Sequence, residues 1–150
     1  MKIAVGCDHA GFDLKPTIVD YLKEKQIEVL DEGTFSREST DYPLYAQKVA
    51  QDVVEKKADL GILICGTGIG ISIAANKVPG IRAAACSDPY SAQMSRAHNH
   101  TNILAFGSRV VGPELAKMIV DAWLRAKPQG GRHERRLALV ARIEHGETLG

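Results

Sequence analysis

The 150-residue chain is short of the features that would commit it to several common protein classes. It has three cysteines, Cys7, Cys65 and Cys86, an odd count with no C-x-x-C pair. That spacing suits neither a disulfide framework nor a zinc ribbon, and reduced thiols in the cytoplasm fit it better. No apolar run approaches the ~20 residues that a membrane span requires. The opening segment MKIAVGCDHAGFD meets an Asp and a His before the apolar region of a secretory signal could form. An excess of one charge is missing too, since 19 basic and 18 acidic residues leave a net charge of +1. Duplex nucleic acid wants a broad basic excess and is not expected as a partner. Neither is a membrane.

What is present is an ordinary globular composition, 45% hydrophobic and 25% charged, which fits one domain over residues 1–150. Short apolar runs alternate with segments of helical period, the pattern of an α/β protein. KIAVGC, EVLDEG, ADLGILIC, IRAAAC and NILAFGS read as five strands, several of them lacking polar alternation and so buried on both faces. Leu14, Ile18, Tyr21 and Leu22 stripe a first helix, with Pro16 tolerated only in its first turn. Asp41 followed by Pro43, and Asp88 followed by Pro89, read as helix starts. After the break PQGG a last helix begins near Arg132. The expected architecture is a three-layer α/β/α, Rossmann-like domain with a five-stranded parallel sheet and right-handed crossovers. Strand order is not readable, but ligands should gather beyond the carboxyl ends of the strands. Those ends carry Cys7-Asp8-His9, Cys65-Gly66-Thr67-Gly68 and Gly107-Ser108-Arg109.

In CGTGIG, Cys65 ends the strongest strand, and glycines 66, 68 and 70 let the backbone close around a ligand. The turn feeds a helix whose first amides favour an anion. A thiolate base and a cradle for an oxyanion could both arise there. A buried, inert cysteine in a glycine-rich turn is equally consistent with the spacing. A dinucleotide fingerprint is disfavoured, because Ile71 stands in place of the third glycine. A Walker P-loop fails as well, since GCDHAG is not followed by Lys and Ser/Thr. Asp8 and His9 could bind a hydroxyl and a phosphate, or merely cap a helix and face solvent. His98-Asn99-His100 suggests a general acid at a helix end or an exposed cap, with a metal site disfavoured. Arg132 and Arg136 share a helix face that continues into Leu139 or Val140 and Ile143. That stripe is expected to face protein, giving either a fork for phosphate or the basic start of a solvated helix.

Taken together, GCDHAGFDLK, GTFSRESTDYPLYA, ICGTGIGISIAANKVPGIRAA, CSDPYSAQMSRAHNHTNILAFGSRVVG and GGRHERR resemble the type B ribose-5-phosphate isomerases. That family also includes allose-6-phosphate and galactose-6-phosphate isomerase subunits, and the similarity runs nearly end to end. It implies an aldose–ketose isomerase acting on ribose 5-phosphate through a cis-enediolate. Cys65 is the implied base, because Ile71 occupies the place of the glutamate used by the other variant of the family. By the same resemblance His98 assists ring opening and Thr67 belongs to the catalytic group. Asp8, Tyr42 and Asn99 contact the sugar, and His9, Arg132 and Arg136 hold the phosphate with Arg109 nearby. The amides of Gly66, Gly68, Ile69 and Gly70 cradle the enediolate. The scheme requires neither metal nor organic cofactor. The resemblance also implies a homodimer, or a tetramer built from it, with sites shared between subunits and the last helix reaching a partner. A six-carbon phosphosugar substrate, or a non-catalytic sugar-phosphate-binding subunit, remain the alternatives.

Overall fold

The computed structural model describes all residues 1–150. Five parallel strands, β1 (Lys2–Cys7), β2 (Glu28–Asp31), β3 (Leu60–Cys65), β4 (Ala83–Ala85) and β5 (Ile103–Gly107), form one sheet in the order β2-β1-β3-β5-β4. The register places Cys7 beside Ile64 and Cys65 beside Gly107, so the strands carrying Asp8, Cys65 and Arg109 end side by side. The Rossmann-like α/β architecture expected from the alternation is the one found.

Six helices connect and cover the sheet: α1 (Lys15–Glu24), α2 (Tyr42–Val54), α3 (Ile69–Ala75), α4 (Pro89–Asn99), α5 (Pro113–Arg125) and α6 (Arg132–Glu144). Alternate residues of each strand point to opposite faces, which divides the core in two. Ile3, Val5, Cys7, Ile62, Ile64, Leu104 and Phe106 pack against α1, α4 and α5. Ala4, Leu63, Cys65, Ile103 and Ala105 pack against α2 and α3. The two outer strands are shorter than EVLDEG and IRAAAC suggest, ending at Asp31 and Ala85 while β1 and β5 run on to Cys7 and Gly107. Pro16, Pro43, Pro89 and Pro113 all lie in first turns, where a missing N–H costs nothing. No helix is long and apolar enough to cross a membrane.

α6 differs from the other helices in having no buried residue. The stripe expected to face protein does not do so within the chain: Val140 and Ile143 are 49% and 57% exposed, and Arg132 and Arg136 are exposed as well. The reason is topological. α5 completes the cover of the sheet, so α6 finds no open strand to lie on and meets chiefly the end of α4, with Glu144 reaching Gly80.

Candidate active site

Cys65 is the last residue of β3 and is 5% exposed. Its Sγ accepts the N–H of Gly68 at 3.1 Å. Gly68 caps α3 with φ +81°, and a side chain there would collide with the backbone of Phe106, its Cβ 2.7 Å from that Cα. Only glycine permits this turn, and the turn aims an amide at the sulfur. At the other two cysteines burial outweighs the donors that reach the sulfur. Burial pushes the Cys7 thiol up to about 11, with Lys15 and the Thr34 N–H only partly offsetting it. Burial also raises the Cys86 thiol, against a hydrogen bond from Ser95. Ile71 is fully buried among α2 and α3 and offers nothing to a ligand.

The neighbours of the loop come from the adjacent strand ends. Thr67 Oγ1 accepts the N–H of Ile69 at 3.2 Å, leaving its hydroxyl proton for a ligand. The Arg109 guanidinium lies against Gly66, since a methyl group there would sit 3.3 Å from Nη1, and the Arg109 N–H donates to the Gly66 carbonyl. Ser108, placed at a strand end by the sequence but given no role there, ties the strand ends together by donating to the carbonyls of Ala10 (2.6 Å) and Cys65 (3.2 Å). The ring of Tyr42 covers Gly70, where a methyl group would meet Cζ at 2.8 Å.

Tyr42 also borders an open cavity of about 620 Å³ shared with Asp8, His9 and Thr40. Asp8 is buried and accepts the N–H groups of Ala10 and Gly11 at 3.0 and 3.2 Å. His9 Nδ1 receives the Thr40 N–H at 3.1 Å. Nδ1 also lies 3.2 Å from the Thr40 carbonyl, so its partner depends on the tautomer, while Nε2 is left without a partner inside the chain. Thr40 is a second residue left without a role by the sequence. Its signal is only that the polar loop must return to meet β1.

His98, Asn99 and Arg136 form a different group. They line a smaller cavity of about 240 Å³ with His133, Leu137 and Val140. This cavity lies at the opposite end of the sheet from Cys65. Arg82, which precedes β4, donates to the carbonyls of Asn99 and His100, and the carbonyl of Asn102 accepts from Gly61 at the start of β3. At about 3.3 Å per residue the two ends of β3 lie roughly 16 Å apart. One chain therefore gathers Asp8, His9, Tyr42, Cys65, Thr67 and Arg109, and does not bring His98, Asn99, Arg132 or Arg136 to them. The physical reason is that a helix crossing back over a parallel sheet carries its C-terminus to the amino ends of the strands. His100 is the left-handed cap of α4, and its Nε2–H donates to the Gln129 carbonyl. Asp88 caps the start of α4 by accepting the Ser91 N–H, the helix start expected from Asp88-Pro89.

Residues 3–140 match the family model described as Ribose/Galactose Isomerase. The chain is 65% identical to the ribose-5-phosphate isomerase B of Escherichia coli (strain K12), over 95% of this chain and 96% of that one. It is 47% identical to the D-erythrulose-4-phosphate isomerase of Pectobacterium atrosepticum, over 98% and 97% of the two chains. Among solved structures, the ribose-5-phosphate isomerase B of Clostridium thermocellum superposes with a TM-score of 0.96 at 56% identity, covering 99% and 100% of the chains. The fold, the strand-end cluster around Cys65 and these likenesses agree: the chain belongs to the ribose/galactose isomerase family.

Proposed function

We propose that the chain is an aldose–ketose isomerase interconverting ribose 5-phosphate and ribulose 5-phosphate, with Cys65 as the base. The observation that carries this reading is the Gly68 N–H aimed at Cys65 Sγ at the mouth of α3. An amide donor there stabilises a thiolate, and the neighbouring amides suit an oxyanion. The phosphate is held by His9, Arg109, Arg132 and Arg136, and Asp8, Tyr42 and Asn99 orient the sugar. His98 promotes opening of the furanose ring to the aldehyde. The Cys65 thiolate removes the proton from C2, and the electron pair becomes the C1–C2 double bond. O1 takes the negative charge and faces the amides of Gly66, Gly68, Ile69 and Gly70, with the Thr67 hydroxyl as a further donor. Transfer of the O2 hydroxyl proton to O1 and return of the carbon-bound proton to C1 then give the ketose, with C2–O2 as its carbonyl. A positioned base contributes about 10²–10⁴-fold and each oxyanion donor about 10²–10³-fold. A thiol base must stay reduced, which suits a cytoplasmic enzyme.

The working unit is a homodimer. Residues 1–150 form one isomerase domain, and α6 lacks any buried residue of its own because it packs on a second copy. His98, Asn99, Arg132 and Arg136 of one subunit then complete the Cys65 cluster of the other. The test uses two impaired variants, Cys65→Ala and His98→Ala, at enzyme concentrations low enough that His98→Ala turns over little aldose. Cys65→Ala should lose at least ~10³-fold in turnover while still binding the sugar phosphate in calorimetry. Mixed and allowed to exchange, the two should recover about a quarter of the wild-type rate, since a mixed C2 dimer holds one intact site. Full turnover by Cys65→Ala overturns the base, and no recovery on mixing overturns the shared site.

A further inference from the structure

Of the polar side chains in the His98 cavity, His133 alone has no task in this scheme. The imidazoles of His98 and His133 are stacked, with centroids 4.1 Å apart and planes within 4°. His133 is the second residue of α6, and both rings are half-buried. We infer that His133 is a positioning residue for ring opening, a flat platform that fixes the plane of the His98 imidazole. This inference rests on the proposed role of His98.

The support beneath the pair is unusually well built for a helix end. Under α4, Ser95 Oγ meets Thr101 Oγ1 at 3.0 Å, and Thr101 Oγ1 accepts the indole N–H of Trp123 at 2.9 Å. Arg96 donates to the Thr101 carbonyl at 2.7 Å. The segment leading to α6 is tied to the same end, because the Gln129 N–H donates to Ala97 and the Gln129 carbonyl accepts from His100. α6 has no core of its own, yet its first turn is clamped where His133 meets His98. Stacking leaves the edge nitrogens of His98 free while restricting rotation about χ2, the freedom that a proton-transfer group must lose.

The surroundings also set the charge of the platform. Burial lowers the pKa of His133, and the neighbouring charges of His98, Arg132, Arg136 and His100 lower it further. A neutral His133 can lie face to face with His98 in either protonation state, whereas two imidazolium rings would repel. His133 therefore needs only to be flat and uncharged, which separates its role from that of the arginines on either side.

The experiment compares His133→Leu, His133→Phe and His98→Ala in two measurements. The first is consumption of ribose 5-phosphate, mostly a closed furanose, at rising enzyme concentration. The second is deuterium uptake from D2O at C1 of ribulose 5-phosphate. This ketose has its 5-hydroxyl esterified and no five-membered ring to open. His133→Leu should consume the aldose about 10²-fold more slowly per enzyme. Its rate should also reach a ceiling at high enzyme, set by spontaneous ring opening. Deuterium uptake should stay within about twofold of wild type, and His133→Phe, which keeps a flat ring, should recover most of the loss. A general disturbance of α6 would weaken phosphate binding and slow both measurements equally, which would overturn the inference. Failure of His133→Phe to recover would overturn it too. If His98→Ala shows no ceiling, the role of His98 itself fails. If His98→Ala shows the ceiling and His133→Leu does not, only the platform fails.

Discussion

The loop after β3 and the helix α6 carry the two halves of the proposed site, and they are built by opposite means. The loop leans on the core at every step. Cys65 and Ile71 are buried, Gly68 is wedged on the backbone of Phe106, and Ser108 and Arg109 fasten the neighbouring strand end to it. α6 leans on almost nothing inside its own chain. A buried Ile or Leu contributes about 1.5–3 kcal/mol; α3 has Ile71 and α6 has no equivalent. The difference suggests a division of labour. On the proposed mechanism Cys65 and its amides are held by the fold, as are His9 and Arg109, whereas Arg132 and Arg136 reach the phosphate only through assembly.

The strongest attempt to break this division is Gly68→Ala. The substitution forces a Cβ into left-handed backbone at φ +81° and against the Phe106 backbone on the next strand. A loss of about 2–5 kcal/mol follows from strain and overpacking together. Turnover should drop about 10²–10³-fold as the amides leave their positions. Denaturant midpoints and kcat measured on one preparation check both effects. A variant that kept its stability and lost only activity would mean that the loop is not anchored by the core.

Arg136→Ala probes the other side with a smaller expected effect. A charge-assisted contact to phosphate is worth about 1.5–3 kcal/mol, so KM should rise about 10- to 10²-fold. Stability should shift by less than about 0.5 kcal/mol, as at other exposed positions. If Arg136→Ala unfolded the chain as readily as Gly68→Ala, α6 would belong to the folding unit and the comparison would collapse.

The sequence was informative where function follows from local order. β3 and its glycine turn, the proline-led helices and the approximate start of α6 could be read directly, because each is set by short-range periodicity and backbone allowance. The strand-end residues Asp8, Cys65, Thr67 and Arg109 could be grouped without knowing the strand order, since every parallel strand ends on one side. His98 could not be placed that way. Its position at the far end depends on the return path of α4, which no pattern around HNH records. The stripe begun by Arg132 and Arg136 was read as facing protein, and apolar spacing cannot say whether that protein is the same chain. No pattern assigns roles to Thr40, Ser108 and His133, because their partners lie 31, 43 and 35 positions away, as in the contacts Thr40–His9, Ser108–Cys65 and His133–His98.

The finest test of the comparison is the polar tie between α6 and the body of its own chain. The Glu144 carboxylate accepts the N–H of Gly80 at 3.1 Å, in an exposed position near the end of the helix. An exposed contact of this kind contributes little, because water competes for both partners. Glu144→Ala should lower Tm by about 1–2 °C. KM should rise by no more than about twofold, since the far end of α6 would fray while Arg132, His133 and Arg136 stay clamped near Gln129. Thermal denaturation and steady-state kinetics over a range of protein concentrations separate the two possible supports. If a second copy holds α6, raising the protein concentration should erase the small KM defect by favouring the assembled form. If the tie to Gly80 is what holds the helix, the defect should approach that of Arg136→Ala and persist at every concentration. That second outcome would move the arginines from assembly to fold.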